Sequence, residues 1–195
     1  MRYTVIRHAR RSCLAAVAAA VLLFCSSSGA QSNFRPATPP TRVRLYVFDC
    51  GVINVNATGT ERYNVTPQEV GETRFSVPCF LVAHPQGTLL WDLGIVPDET
   101  VEARGRGQEA SPAATAVIEP GKRTLTSQLA DIGYRPQDIT YVAFSHAHGD
   151  HVANANRFAA STWLARPAER SFMWQEGNTR VNRALFDRLE NSRSI

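Results

Sequence analysis

The sequence has no excess of charge of either sign outside its first 30 residues. Four of the 21 Lys and Arg residues lie in that segment, which contains no Asp or Glu, so 17 positive charges balance 17 negative ones in the remainder. A balanced chain without a basic run has no electrostatic footprint for phosphate backbones or acidic membranes. This absence excludes nucleic acid as an expected partner.

Long apolar runs are also absent, as are low-complexity tracts. The main apolar run, Leu14 to Phe24, has 11 residues, whereas a helix that spans a membrane needs roughly 20. With 44% hydrophobic residues, the chain after this run is expected to fold as one globular domain.

The first 30 residues have the three parts of a secretory signal peptide. Four arginines between residues 2 and 11 precede the apolar run, and Ser28 and Ala30 occupy the −3 and −1 positions of a cleavage site. We therefore expect residues 1–30 to be a signal peptide and the mature protein to be exported, periplasmic or secreted, with no stable membrane anchor. Arg10 and Arg11 leave twin-arginine export open as the route.

Cysteine is scarce, because the mature chain retains only Cys50 and Cys79. In an oxidising compartment the two can form a disulfide. Two buried free thiols are the alternative. The sequence leaves both open, since geometry decides whether two cysteines can pair.

The mature chain begins with residues 31–41, where three prolines among polar residues predict an extended lead-in rather than core. The domain is expected to span residues 42–195. Alternation from Val43 to Phe48 predicts a strand that ends in a turn at residues 49–51. Phe75 to Ala83 and Thr88 to Trp91 predict an antiparallel hairpin.

The second part of the chain combines a long predicted loop with helices and buried strands. Glycine and proline predict a loop from Pro97 to Arg123. A helix is predicted from Leu125, capped by Thr124 and ended by Gly133. The remaining predicted elements are a buried strand from Ile139 to Ser145, a short helix beginning at His151, a short strand from Ser161 to Ala165, and helices near Pro167 to Trp174 and Thr179 to Glu190.

Three of the five histidines lie within six positions directly after the predicted buried strand. In an extended segment alternate residues face the same way, so His146 and His148 can present their imidazoles to one metal ion. Asp150 and His151 then point elsewhere, but as the backbone turns into a helix they can address a second metal ion a few ångströms away, and paired metals suit hydrolysis. Asp150 is also placed to cap the helix that begins at His151, and Asp92 can be a plain turn aspartate. Each alternative explains only one residue.

The motif His146-x-His148-x-Asp150-His151 resembles that of the metallo-β-lactamase superfamily. Residues 44–51, 77–82 and 87–94 resemble the corresponding segments of its N-acyl-homoserine lactonase-like members. The likeness runs from about Arg44 to Arg188. Ala153 stands where the family usually has glycine.

The resemblance implies an α/β fold in which residues 42–195 form the first half of an αβ/βα sandwich, with the second half largely missing. It implies two divalent metal ions, zinc by the family's usual preference, and a bridging hydroxide that attacks a lactone or another ester-like carbonyl of a small-molecule substrate. It assigns His146 and His148 to the first metal, Asp150 and His151 to the second, Asp150 also to a catalytic role near the nucleophile, and Asp92 to a supporting position beneath the site.

Family members continue with a segment that supplies a third histidine, a bridging aspartate and a last histidine, whereas no histidine follows His151 in this sequence. We therefore expect the amino-terminal portion of a hydrolase, with an uncovered sheet face that favours aggregation or a homodimer. Two alternatives stay open, a non-catalytic relic or binding module, and a β-lactam or thioester as the substrate.

Overall fold

The computed structural model describes residues 36–54, 64–71, 74–105, 116–117 and 123–195. The predicted signal peptide and residues 31–35 of the lead-in lie outside the described residues. In the rest of the lead-in, the backbone N–H of Ala37 donates to the carbonyl of Gly133 at 2.8 Å, and Pro40 is buried. This segment contains no helix or strand, and it packs against the domain.

The described residues form six strands, five α-helices and four short 3₁₀ helices. The strands are β1 (Arg44–Asn54), β2 (Arg74–His84), β3 (Gly87–Trp91), β4 (Ala116–Val117), β5 (Tyr141–Ala143) and β6 (Thr162–Leu164). The α-helices are α1 (Pro67–Val70), α2 (Asp98–Gly105), α3 (Leu125–Asp131), α4 (Gly149–Val152) and α5 (Pro167–Trp174). The 3₁₀ helices are Pro136–Asp138, Ala155–Phe158, Arg183–Leu185 and Asp187–Asn191. No helix of the described residues is long and apolar enough to cross a membrane.

The six strands form one mixed sheet in the order β4-β1-β2-β3-β5-β6. The β1, β2, β3 and β4 pairings are antiparallel, which confirms the predicted hairpin. The pairs β3 with β5 and β5 with β6 are parallel. Because the carboxyl ends of parallel strands meet at one edge, the segments after β3, β5 and β6 begin side by side. The motif that starts at His146 follows β5 at this edge.

One face of the sheet carries the core. Leu81, Leu90, Val142 and Trp163 lie in register on four neighbouring strands, and each is at most 1% exposed. Helices and 3₁₀ turns cover this face with apolar side chains that belong to the same cluster, among them Leu129, Val152, Phe158, Met173 and Phe186.

The opposite face of the sheet is apolar and open. Val43, just before β1, is 58% exposed, Leu45 and Val47 on β1 are each 63% exposed, and Trp91 on β3 is 41% exposed. We call these four residues the apolar strip. Val47 pairs with Phe80 on β2, which in turn pairs with Trp91, so β2 lies between the β1 and β3 members of the strip. An uncovered apolar face of this kind is what the sequence predicted.

Three predicted elements differ from the structure. The turn at residues 49–51 is a bulge, because Gly51 adopts φ +128 and β1 continues on the other side of it to Asn54. The predicted loop from Pro97 contains α2, whose low apolar content gives no periodic signal in the sequence. The predicted helix from Thr179 to Glu190 is two 3₁₀ helices, since Phe186 adopts φ −142 between them and interrupts the helical backbone.

Cys50 and Cys79 form a disulfide with their Cα atoms 5.9 Å apart. The bond links β1 to β2 beside the bulge, and both cysteines are buried. The structure thus decides between the two alternatives that the sequence left open.

Candidate metal centre

The candidate ligands lie where the chain leaves β5 and turns into α4. This helix begins at Gly149, one residue after His148, which occupies the cap position without a side-chain cap hydrogen bond. The prediction that the helix begins at His151 is therefore wrong, and the alternative that Asp150 caps it is not supported. Asp150 lies inside the first turn, so its carboxylate is free of a capping role.

Two pairs of ligand atoms converge at this turn. Nε2 of His146 lies 2.9 Å from Nδ1 of His148, and Nε2 of His151 lies 3.1 Å from a carboxylate oxygen of Asp150. Nitrogen ligands held about 2.0–2.1 Å from one tetrahedral zinc ion are roughly 3.3 Å apart. Each pair is thus close to the separation of two ligands on a shared metal ion, and the donor types fit a divalent transition metal.

The two pairs are closer together than strict alternation along an extended segment predicts. Ligand atoms of His146, Asp150 and His151 all lie within 4.8 Å of one another. The ring centroids of His146 and His151 are 4.1 Å apart. The turn into α4 brings Asp150 and His151 back beside His146, at the few ångströms that the sequence predicts between neighbouring metal sites.

Asp92 follows β3 and supports the turn from the neighbouring strand. It adopts φ +56, a left-handed conformation that Asp and Asn tolerate better than most residues. One carboxylate oxygen accepts the backbone N–H of Ser145 at 2.8 Å, and the other lies 2.9 Å from Nδ1 of His151. Asp92 is 7% exposed, so these hydrogen bonds compensate for its burial. The structure places it in contact with the motif, where the resemblance assigned a supporting role.

Burial and hydrogen bonding shift the pKa values of Asp92 and His151 in opposite directions. Burial alone would raise the pKa of Asp92, but the hydrogen bonds from His151 and Ser145 hold that pKa below its ordinary value. The hydrogen bond to Asp92 raises the pKa of His151, against a smaller opposing effect of burial. Burial lowers the pKa of His146, and the nearby His151 and His148 lower it further. The cluster thus favours a neutral His146 beside an ionised Asp92.

Two residues that sequence reasoning missed hold the site together. The hydroxyl of Ser145 lies within hydrogen-bond distance of Asp92, His146 and His151. The side chain of Asn154 donates to the carbonyls of the β3–α2 connection and accepts the backbone N–H of Asp98 at 2.7 Å. The signal for Ser145 was available, because a hydroxyl directly before a histidine motif can bond to the imidazoles.

The departure at Ala153 does not disturb this arrangement. Ala153 is in the right-handed helical conformation, with φ −54, which any residue adopts. Its backbone N–H donates to the carbonyl of Gly94 at 3.1 Å, and the N–H of Leu93 donates to the carbonyl of His151 at 2.7 Å. These two bonds tie the turn after β3 to the end of the motif.

Comparison with known proteins assigns the family. The family model of the metallo-beta-lactamase superfamily matches residues 73–171, which is just over half of the chain. This chain therefore belongs to the metallo-beta-lactamase superfamily, as the motif indicated.

Curated relatives include N-acyl homoserine lactonases. The chain is 30% identical over 132 residues to the lactonase AiiB of Agrobacterium fabrum, in a match that covers 65% of this chain and 48% of the relative. It is 25% identical over 152 residues to the lactonase AttM of Rhizobium johnstonii, with coverage of 76% and 56%. The chain thus spans about half the length of the curated relatives it matches.

Solved structures of the same kind share the fold. A quorum-quenching N-acyl homoserine lactone lactonase aligns with a TM-score of 0.56 at 20% identity, over 81% of this chain and 58% of that one. An N-acyl homoserine lactone hydrolase, solved with N-hexanoyl-L-homoserine at its catalytic metal centre, aligns with a TM-score of 0.54 at 21% identity, over 79% and 59%. This likeness confirms the predicted fold class, an α/β chain that covers part of a metallo-β-lactamase fold.

Proposed function

We propose that this protein is a metal-dependent hydrolase that opens a lactone ring of the N-acyl-homoserine lactone type or a related ester bond. The observation that carries the proposal is the convergence of ligand atoms in two pairs, His146 with His148 and Asp150 with His151. Family membership supports hydrolysis, and the lactonase relatives support the choice of bond.

The four side chains would hold two divalent metal ions. Zinc suits imidazole and carboxylate donors, and iron, manganese and cobalt are compatible with the same set. When bound, such ions polarise the scissile carbonyl, activate the attacking water and stabilise the developing negative charge. Asp150 provides a carboxylate beside His151, so a proton acceptor is present within the cluster. Asp92 holds the ring of His151 in place through Nδ1.

The small number of ligands in the cluster favours the alternative of a non-catalytic protein. Zinc sites in enzymes have at least three protein ligands, whereas this cluster offers two for each ion among the described residues. A non-catalytic relic or binding module would need no more ligands than these. Catalysis requires further ligands, which a longer chain or a second copy in a homodimer would provide.

Export is part of the proposal. The buried Cys50–Cys79 disulfide suits an oxidising compartment such as the periplasm or the extracellular space, and the signal-like segment at residues 1–30 points to the same place. Fractionation of the producing cells tests this, with the two cysteines alkylated before and after reduction. Recovery of the protein in the cytoplasmic fraction with two free thiols would contradict export.

The experiment that tests the activity uses the zinc-loaded protein in the form that supplies the further ligands, a longer chain or a homodimer, and compares it with its His148→Ala and His84→Ala variants. His84 lies at the hairpin end of β2, so its replacement is a matched control outside the cluster. We expect hydrolysis of N-hexanoyl-homoserine lactone by the wild type and by His84→Ala, and a loss of at least about a hundredfold in His148→Ala. Equal hydrolysis by all three would overturn the metal assignment.

A substrate panel separates the remaining alternatives. A β-lactam and a thioester are assayed beside the lactone under the same zinc loading. Preference for either would keep the hydrolase but change its substrate class. Binding of zinc without hydrolysis of any of the three would favour the non-catalytic alternative.

A further inference from the structure

The hydroxyl of Ser145 occupies a junction among the candidate ligands and Asp92, although the residue as a whole is exposed. Its Oγ lies 2.8 Å from Nδ1 of His151, 3.1 Å from a carboxylate oxygen of Asp92 and 3.3 Å from Nδ1 of His146. Its backbone N–H donates to the other carboxylate oxygen of Asp92 at 2.8 Å. One side chain therefore contacts the supporting aspartate and one histidine from each ligand pair.

The chemistry of these groups fixes the direction of the hydrogen bonds. The carboxylate of Asp92 accepts the backbone N–H of Ser145 through one oxygen, and the hydroxyl of Ser145 donates its proton to the other oxygen. The lone pairs of Oγ then accept from N–H groups. Both imidazoles approach Oγ through Nδ1, and each must carry its proton there if it is to donate.

We propose that Ser145 is a positioning residue that fixes the tautomer of His146, with the proton on Nδ1 and the lone pair on Nε2. That lone pair faces Nδ1 of His148 at 2.9 Å, on the side where the ligand atoms converge. The proposal rests on the metal centre of the proposed function, because an imidazole binds a metal ion through its unprotonated nitrogen and the partner of the other nitrogen decides which one that is.

The two histidines depend on Ser145 to different degrees. Nδ1 of His151 is also 2.9 Å from the carboxylate of Asp92, so this residue keeps an acceptor when the hydroxyl is removed. For Nδ1 of His146, the hydroxyl of Ser145 is the hydrogen-bond partner found among the described residues. Removal of the hydroxyl is therefore expected to change the tautomer of His146 and to leave that of His151 unchanged.

The first test reads the tautomers directly in the metal-free protein. Imidazole ¹⁵N shifts are recorded at mildly alkaline pH, where the rings are neutral, for the wild type, Ser145→Ala, Ser145→Thr and Ser76→Ala. Ser76 is exposed on β2, so Ser76→Ala removes the same atom away from the cluster.

We expect the Nδ1–H tautomer of His146 in the wild type, in Ser76→Ala and in Ser145→Thr, which keeps the hydroxyl. We expect a shift of His146 alone to the Nε2–H tautomer in Ser145→Ala. A His146 that keeps its proton on Nδ1 without the hydroxyl would overturn the proposal. So would a wild-type His146 with its proton on Nε2.

The second test measures zinc affinity by competition with a chromogenic chelator. Loss of a residue that orients a metal ligand typically weakens binding by about 10–100-fold, so we expect a change of that size in Ser145→Ala and near-wild-type affinity in Ser145→Thr. Equal affinities of Ser145→Ala and the wild type would overturn the proposal. If the wild type itself took up no zinc, the proposed function would fail, and the tautomer measurement would still decide the role of Ser145.

Discussion

The carboxylate of Asp92 lies 2.9 Å from Nδ1 of His151, although 59 residues separate the two in the sequence. The parallel pairing of β3 with β5 brings them together, because Asp92 follows β3 and the motif follows β5 at the same edge of the sheet. The contact therefore joins the fold to the site, and a change in the charge of either residue affects both.

Replacement of Asp92 by asparagine tests this pair through its pH dependence. Asparagine keeps the size of the side chain and tolerates the left-handed backbone, but it carries no charge. Folding raises the pKa of His151 above its ordinary 6.5, so its contribution to stability is full below pH 6.5 and is lost as the pH rises through the raised value. Folding lowers the pKa of Asp92 below 3.8, so its contribution is full above pH 3.8 and is lost as the pH falls through the lowered value.

We therefore expect Asp92→Asn to destabilise the metal-free protein most between pH 3.8 and pH 6.5, by about 1–3 kcal/mol. The measurement is urea unfolding across pH. Asp131→Asn is the control, because its ion pair with Arg123 is exposed and such pairs contribute about 0–1 kcal/mol. If the loss of unfolding free energy in Asp92→Asn did not vary with pH, the pair would not stabilise the protein through its charges.

The disulfide gives a second prediction. Cys50 and Cys79 are 29 residues apart, and closing a loop of this length stabilises a protein by about 3–4 kcal/mol through the entropy of the unfolded chain. We expect the double variant Cys50→Ala/Cys79→Ala to lose about this much free energy of unfolding. Reductant should have a similar effect on the wild type and none on the double variant. A wild type whose thiols are reduced without loss of stability would contradict the prediction.

The sequence predicted most of the fold where local patterns are strong. The strands on either side of His84 to Gly87 are rich in β-forming residues and end in turn residues, and α3 has both a cap and a terminating glycine. The prediction of one helix from Thr179 to Glu190 was wrong. The apolar residues of this segment have helical spacing, but the backbone at Phe186 leaves the helical conformation, and the side chain of Phe186 packs in the core. Tertiary contacts of this kind leave no local signal.

The sequence identified the candidate residues of the site and the turn that brings them together, but it did not define their mutual distances. The spacing of His146, His148 and His151 identified the candidate ligands without any coordinates. Their mutual distances depend on the turn into α4, which begins two residues earlier than expected. The contacts of Ser145 and Asp92 depend on strand pairing across the sheet, which a linear sequence does not show.

The apolar strip predicts self-association. Val47 is 63% exposed in the middle of β1, and contiguous apolar surface of this kind marks a site of contact. We expect the wild type to associate at micromolar concentration and Val47→Lys to raise the dissociation constant by about tenfold or more, which is about 1.4 kcal/mol. Sedimentation velocity measures this. Thr100→Lys, at an exposed position on α2, adds the same charge elsewhere and should leave association unchanged. A monomeric wild type would contradict the prediction.

Gly94 gives the last prediction, because it stands between the disulfide and the motif. A Cβ atom at this position would lie 2.8 Å from Cβ of Cys50 and 3.0 Å from its carbonyl oxygen, and the backbone has φ +78. The carbonyl of Gly94 accepts the N–H of Ala153, just after the motif. Gly94→Ala should therefore displace the turn that carries Asp92, and weaken zinc binding as well as stability.

Gly177→Ala separates the cost of close packing from the cost of backbone conformation. Gly177 has a similar φ of +71, but no atom lies within 4 Å of a Cβ built there. We expect Gly177→Ala to cost about 1–2 kcal/mol for the left-handed conformation alone. Gly94→Ala should cost a further 1–3 kcal/mol or so for the contact with Cys50, measured by urea unfolding. Zinc affinity should fall only in Gly94→Ala. Equal losses of stability with unchanged zinc affinity would mean that the turn after β3 yields without moving Asp92, and that the disulfide and the metal cluster are independent.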